Sequence, residues 1–358
     1  MEQAKGTIPL IATPAMQEFT DRVYSRLAGP DPTHQPHNPP FSRQNVKLVQ
    51  FANQEYKPRI PETVRLEDMY LFHSLYYPDP NTSYMQMFLT AGALSLADVN
   101  RITLVLPFIP YLRQDRKDEP RVPISAATLA KLTGSINGVK RIITMDMHNE
   151  AEQGFYDLSV DNLPGWIVYE NYFRNEFNGD MSDVVVAAPD IGGVKRAGKF
   201  AEMLSLNSDA DVPTCCMDKR RGGPNEVAGL HFIGGDITGK RVILYDDIID
   251  TGTSISKAAM KLMSLGAREV YVCATHGIFS IHNGVRAEDV LRATGLEVLV
   301  TESIPRSAEY RASNSDWLKM LPLDDLIAET VLQTSTVGGS VSGLFKGRSK
   351  TKGVLVTP

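Results

Sequence analysis

The chain has 358 residues, 42% of them hydrophobic, enough apolar surface for about two or three domains with cores of their own, which excludes a disordered or low-complexity protein. A formal net charge of −5 and a pI of about 5.9 exclude a protein that coats nucleic acid, so any phosphate ligand has to be held by local basic groups. The three cysteines (Cys215, Cys216 and Cys273) make neither a disulfide framework nor a zinc site, no apolar run is long enough to span a bilayer, and no basic-then-apolar leader is present; a cytoplasmic protein with no membrane partner is expected.

Residues 7–28 read as a short strand, Ile8 to Ile11, and then a helix with Met16, Phe19, Val23 and Leu27 on one face. Gly29 to Asn45 carries five prolines, His34 and His37 with almost no periodicity, and is predicted to be an exposed loop. Val46 to Phe51 reads as a strand leading into Phe51-Ala52-Asn53-Gln54-Glu55, which on its own is a β-turn with a buried Phe. Met69 to Ser74 is predicted as a strand, and Ser83 to Ala97 as a helix with Met87, Ala91 and Leu94 on one face.

Ile102 to Leu106 is a continuous apolar run suited to burial on both faces of a parallel sheet. The charged cluster Arg113-Gln114-Asp115-Arg116-Lys117-Asp118 follows it, where open α/β sheets place ligands, and Pro123-Ile124-Ser125-Ala126 begins a helix. Arg141 to Met145 is another strand and ends in Asp146-Met147-His148; a lone His at a strand end is more often structural than a metal ligand. Val184 to Ala188 leads into Pro189-Asp190-Ile191-Gly192-Gly193-Val194-Lys195-Arg196, in which the glycines permit close backbone approach and Asp190 offers hard oxygen to Mg²⁺. This second strand-loop-helix unit points to two related α/β halves. Asp218-Lys219-Arg220-Arg221-Gly222-Gly223-Pro224-Asn225 reads as a basic loop that is mobile when empty and closes over a polyphosphate.

Arg241 to Met260 combines an apolar strand, the pair Asp246-Asp247, the polar turn Asp250-Thr251-Gly252-Thr253-Ser254 and a helix start. Such a turn aims unpaired N–H groups and the positive end of a helix dipole at one spot, which suits a phosphate, and it equally describes an Asp-capped βα connection. Val270 to Ala274 and Leu299 to Pro305 read as strands, and Leu323 to Thr330 as a helix. The hydroxyl-rich run from Gly338 to Phe345 follows, and from Lys346 onward a polar, basic and mobile tail is expected.

The segment from 241 to 260 is similar to the phosphoribosyl-diphosphate loop of type I phosphoribosyltransferases and of ribose-phosphate pyrophosphokinases, the PRPP synthetases; the other strand-end motifs, in the same order, resemble only the latter. The resemblance covers residues 7–345 apart from the Pro-rich insertion, and Lys219-Arg220-Arg221 matches that family's catalytic flexible loop. It implies two doubly wound parallel-sheet α/β domains of type I phosphoribosyltransferase fold in a homo-oligomer, with the active site between them and at a subunit interface. These are an ATP-binding domain at 7–165, with insertion 29–45 and tail 338–345 packed back on it, and a second domain at 166–337 with the sugar-phosphate loop.

The implied reaction transfers the diphosphoryl group of ATP, with Mg²⁺, to ribose 5-phosphate. The resemblance assigns ATP to Phe51, Asn53, Glu55, Arg113, Gln114 and Asp115, magnesium to His148 and Asp190, and catalysis to Lys219, Arg221 and His148. Asp246 and Asp247 would face the ribose hydroxyls, and Asp250, Thr251, Gly252, Thr253 and Ser254 the 5-phosphate. Gln153, Asp161, Asn162, Ser340, Ser342 and Phe345 resemble residues of an allosteric phosphate and nucleotide site. In one respect this loop departs from the family: Thr253 stands where relatives carry Gly. A Cβ there would alter or narrow the turn, which raises ADP-ribose as an alternative acceptor. A non-catalytic regulatory homologue is the reading from another class, opposed by the retention of Lys219, Arg221, His148 and Asp190.

Overall fold

Short apolar runs become strands and the amphipathic stretches between them become helices, in the alternation that parallel βαβ units require. The computed structural model describes residues 7–28, 40–220 and 229–345, leaving aside the side chains of residues 219, 220 and 229. They divide into two units, the first built from residues up to 164 together with 323–344, the second from 165–322 with Phe345.

In the first unit the elements run β1 (Ile8–Ala12), α1 (Gln17–Ala28), β2 (Phe41–Asn45), β3 (Lys47–Gln50), β4 (Tyr56–Arg59), β5 (Asp68–Phe72), α2 (Pro80–Leu96), β6 (Arg101–Val105), α3 (Ser125–Gly134), β7 (Val139–Met145) and β8 (Ser159–Leu163). Its main sheet has the order β2-β1-β5-β6-β7-β8, and every neighbouring pair is parallel. α1 buries Phe19, Val23 and Leu27, the predicted face. α2 begins at Pro80 because Asp79 accepts from Asn81 N at 2.9 Å and Thr82 N at 3.0 Å, a cap worth about 1 kcal/mol, and it buries Met87, Ala91 and Leu94.

The second unit runs α4 (Trp166–Glu176), β9 (Val184–Ala188), α5 (Val194–Leu206), β10 (Thr214–Arg220), β11 (Gly229–Ile233), β12 (Arg241–Ile249), α6 (Thr253–Ser264), β13 (Glu269–Gly277), the hairpin β14 (Ile281–His282) and β15 (Val285–Arg286), α7 (Ala287–Arg292), β16 (Val298–Thr301), α8 (Ala308–Asn314) and β17 (Leu318–Leu321). The sheet order is β11-β10-β9-β12-β13-β16-β17, parallel except for β11 at its edge. Two apolar layers cover it, one including Ile255, Ala258 and Leu262 of α6, the other Tyr169 of α4 and Phe200 of α5. The buried Tyr169 hydroxyl bonds the carbonyls of Ala274, 2.7 Å away, and Leu299, 3.1 Å away, which satisfies a polar tip inside an apolar layer.

Three features depart from the sequence reading. Phe41–Asn45, expected in an exposed loop, is the edge strand β2, held by parallel pairing to β1 and by Arg43, whose Nε lies 2.9 Å from Asp21 Oδ1; Phe-Ser-Arg-Gln-Asn has no apolar alternation to announce a strand. Residues 29–39 lie outside the described residues. Asp218 to Arg220, expected in a mobile loop, extend β10 and pair antiparallel with Gly229 to His231. The helix expected in the second domain, α9 (Asp324–Ser335), belongs instead to the first unit. It docks there because Asp324, with a 5% exposed side chain, takes Arg26 Nε at 3.2 Å and Arg22 Nε at 3.5 Å.

Candidate functional site

The residues expected to hold the sugar phosphate lie in the second unit at the carboxyl end of β12. Val242 to Tyr245 are fully buried, so the strand is fixed as it reaches Asp246 and Asp247. Arg196, near the start of α5, puts Nη1 3.2 Å from Asp246 Oδ1 and 3.1 Å from Asp247 Oδ1. Desolvation and the adjacent Asp247 carboxylate push Asp246 well above the usual carboxylate range, while the Arg196 charge opposes the shift. Of the two side chains Asp246 is the more accessible, 24% against 6% for Asp247. Asp190 follows β9, which neighbours β12, and its Oδ1 accepts Gly193 N at 3.2 Å. A Cβ on Gly193 would lie at ordinary contact distance, 3.4 Å from Ala188 Cβ and 4.0 Å from Asp246 Oδ1, so α5 starts beside the carboxylates.

Gly252 turns the chain from β12 into α6. Its φ of 74° is left-handed, and an added Cβ would meet Leu291 Cγ at 3.1 Å and Ala287 O at 3.4 Å, so both backbone and packing require glycine. Thr253 is the first residue of α6 and, like Ser254, is exposed. The N-cap is a glycine with no side chain to offer, so the first-turn N–H groups are left to a ligand or water. The departure at Thr253 therefore falls on helical backbone that any L-residue adopts; the strained position, Gly252, is unchanged.

The residues expected to hold the nucleotide lie in the first unit. β6 and β7 are adjacent, and Asn149 Nδ2, just beyond His148, donates to Asp115 Oδ2 at 3.3 Å, joining their carboxyl-end loops. Gln114 Oε1 accepts Ser125 Oγ at 2.6 Å, which anchors this loop to α3. Arg113, Gln114 and His148 are exposed. Phe51, Asn53 and Glu55 form the turn between β3 and β4, where Phe51 N donates to Glu55 O at 2.8 Å and Glu55 N to Asn53 Oδ1 at 3.3 Å. The Phe51 ring is 47% exposed, which removes the buried-Phe reading of this turn.

Lys219 lies on β10 opposite Leu230; its side chain and all of Arg221 fall outside the described residues. Gln153 lies in the 3-10 turn Glu150–Phe155, while on β8 Asp161 pairs with Arg141 and Asn162 Oδ1 accepts Met147 N at 3.0 Å. Ser340 Oγ and Ser342 Oγ are 3.0 Å apart, and Phe345 packs on the second unit's core. Among the described residues no group of three or more His, Cys, Asp or Glu could hold a metal, and no helix is long and apolar enough to cross a membrane. Sequence reasoning noticed the basic pair Lys195-Arg196 without giving it a task, and missed Asn149 and Ser125. Asn149 could have been found from its place directly after His148.

Two largely parallel α/β units, the second with a glycine-turned strand-to-helix connection beside paired carboxylates, define a protein of the type I phosphoribosyltransferase fold. Residues 8–136 match the family model described as the N-terminal domain of ribose phosphate pyrophosphokinase, and residues 223–346 match that of the phosphoribosyl synthetase-associated domain. The chain is 40% identical over 285 residues to the ribose-phosphate pyrophosphokinase of Clostridium acetobutylicum, covering 80% of this chain and 84% of that one. Against the ribose-phosphate pyrophosphokinase of Pasteurella multocida identity is 37%, covering 94% and 99%. The crystal structure of phosphoribosylpyrophosphate synthetase from Mycobacterium smegmatis superposes with a TM-score of 0.77 at 32% identity, covering 91% of this chain and 98% of that one. The chain belongs to the ribose-phosphate pyrophosphokinase family.

Proposed function

We propose that this enzyme transfers the β,γ-diphosphoryl group of ATP to the anomeric hydroxyl of ribose 5-phosphate. The ribose O1 attacks the β-phosphorus in line, the bond from that phosphorus to the α–β bridging oxygen breaks, AMP leaves with the bridging oxygen, and the hydroxyl proton is released. The observation that carries the reading is the constellation at the end of β12, Asp246-Asp247 held by Arg196 beside the Gly252 turn into α6, in a chain that covers 99% of a ribose-phosphate pyrophosphokinase. The α6 start and the hydroxyls of Thr251, Thr253 and Ser254 bind the 5-phosphate, while Asp246 and Asp247 accept hydrogen bonds from ribose hydroxyls.

In the first unit Arg113, Gln114 and Asp115, with Phe51, Asn53 and Glu55, hold ATP. Lys219 and Arg221 neutralise charge on the transferring group. The chemistry of the donors fits Mg²⁺: Asp190 is a hard oxygen donor with one oxygen in a single cap bond, His148 is exposed, and a cation that arrives with nucleotide phosphates needs only one or two protein ligands, a role that either residue could fill in its own unit. When bound, that ion offsets charge on the phosphoryl oxygens. The reading includes a homo-oligomer, supported by the exposed Phe51 ring and tested by light scattering.

The test incubates the protein with Mg-ATP and either ribose 5-phosphate or ADP-ribose and resolves the products. AMP and the diphosphorylated sugar are expected from ribose 5-phosphate; no AMP from either acceptor would overturn the reading.

A further inference from the structure

The phosphate loop rests on a second layer of chain whose supports lie well beyond it in sequence. Three consecutive N–H groups hold the main chain of the loop: Ile278 N donates to Ile249 O at 2.9 Å, Phe279 N to the same carbonyl at 3.3 Å, and Ser280 N to Asp250 O at 3.0 Å. This supporting segment is itself strained. Phe279 has a φ of 56°, a left-handed conformation that a bulky aromatic residue adopts only where its surroundings over-determine it. A Cβ on Gly277 would come within 2.7 Å of the Phe279 ring, so that ring packs directly on the backbone at Gly277.

Arg306, just after β16, engages that segment from beneath. One Nη2 donates to Gly277 O and to Ile278 O, both at 2.8 Å. Its guanidinium lies 5.7 Å from the Phe279 ring centroid and 4.9 Å from that of Tyr310, and the Tyr310 hydroxyl donates to Glu288 Oε1 at 3.0 Å. Glu288 belongs to α7, the helix whose Ala287 and Leu291 pack on Gly252. The cluster therefore touches the loop by two routes, through the Ile249 and Asp250 carbonyls and through the wall behind Gly252.

We propose that Arg306 is a positioning residue for the acceptor site, clamping the Gly277–Ile278 carbonyls so that the Asp250–Ser254 loop is preorganised for the 5-phosphate. The inference rests on the assignment of that loop to ribose 5-phosphate. Arg306 acts through two charge-assisted hydrogen bonds from one guanidinium nitrogen and through its flat guanidinium set near the Phe279 and Tyr310 rings, a combination that the compact lysine ammonium does not reproduce.

The experiment compares KM for ribose 5-phosphate and for ATP, with thermal unfolding, in Arg306→Lys and Arg306→Gln, using Thr251→Ala as a control inside the loop. Expected is a KM for ribose 5-phosphate raised about 10-fold in Arg306→Lys and more in Arg306→Gln, with KM for ATP within about 2-fold of wild type, because each lost bond involves a charged donor. Arg306→Lys, which keeps the charge, carries the test if Arg306→Gln fails to fold. A folded Arg306 variant with an unchanged KM for ribose 5-phosphate, or with both KM values rising together, overturns the clamp. If Thr251→Ala also leaves the acceptor KM unchanged, the assignment of the loop falls and the clamp with it; if Thr251→Ala raises it and the Arg306 variants do not, only the clamp falls.

Discussion

Arg196 lies across the start of α5 from Asp247 at the end of β12, Nη1 to Oδ1, at 3.1 Å. The same nitrogen reaches Asp246, so this cation bridges two adjacent carboxylates. Desolvation, with the neighbouring Asp247 carboxylate adding to it, pushes Asp246 above the usual carboxylate range against the opposing charge of Arg196.

This sets the acid limb of the activity. Asp246 has to be ionised to accept two sugar hydroxyls, so kcat/KM for ribose 5-phosphate falls as pH drops through its raised pKa. Arg196 opposes that rise, so Arg196→Gln moves the limb to higher pH. The stability sign is the reverse: a raised folded pKa favours folding below the ordinary carboxylate range and the benefit is lost as pH climbs through the folded value, so Arg196→Gln is penalised more at neutral than at acid pH. An acid limb that stays in place would refute the charge-sharing account.

Gly252 and Thr253 separate strain from sequence departure. Gly252→Ala puts a Cβ into a left-handed residue, at about 1–2 kcal/mol, and against Leu291 as well; lower Tm and a raised KM for ribose 5-phosphate are expected. Thr253→Gly alters a helical, exposed residue and costs about 1 kcal/mol at most, leaving the ratio of kcat/KM between ribose 5-phosphate and ADP-ribose unchanged. A switch of acceptor in Thr253→Gly would restore the larger ester as a substrate.

Phe51 tests the nucleotide assignment with little structural interference, because its ring is half exposed at a hairpin turn. Base stacking on an aromatic ring is worth about 1–3 kcal/mol, so Phe51→Ala should raise KM for ATP about 5- to 150-fold, with Tm and the acceptor KM nearly unchanged. Unaltered ATP kinetics would remove Phe51 from the site.

Lys219 is expected to act mainly on kcat. Loss of a charge that works in the transition state costs about 10²–10³ in rate, by analogy with an oxyanion donor, so Lys219→Ala should turn over that much more slowly with substrate binding retained. Wild-type turnover would end its catalytic assignment.

The sequence made the strand ends legible because burial on both faces leaves an unmistakable apolar run: Val242 to Tyr245, Ile102 to Val105 and Val184 to Ala188 all lie in parallel strands with the expected residues beyond their carboxyl ends. The roles expected of the loops came from the family resemblance, not from that placement. Partners set by tertiary contact were not legible. Arg196 looked like half of a basic pair until α5 was seen beside β12, and Arg306 carries no local signal because its partners are carbonyls at Gly277 and Ile278. The strand at Phe41–Asn45 is defined by its neighbour rather than by its own residues, and helical periodicity in α9 gave no hint of which core it would join.

The return of α9 to the first unit inverts the order of completion during synthesis. Residues 165–322 form a continuous stretch that can close its own sheet as soon as it has emerged, whereas the first unit, begun earlier, still lacks the helix that meets Arg22 and Arg26. At cellular elongation rates that exposed face waits on the order of ten seconds while the whole second unit is made. The unit assigned to ATP thus receives α9 only after the whole sheet of the other unit has been made.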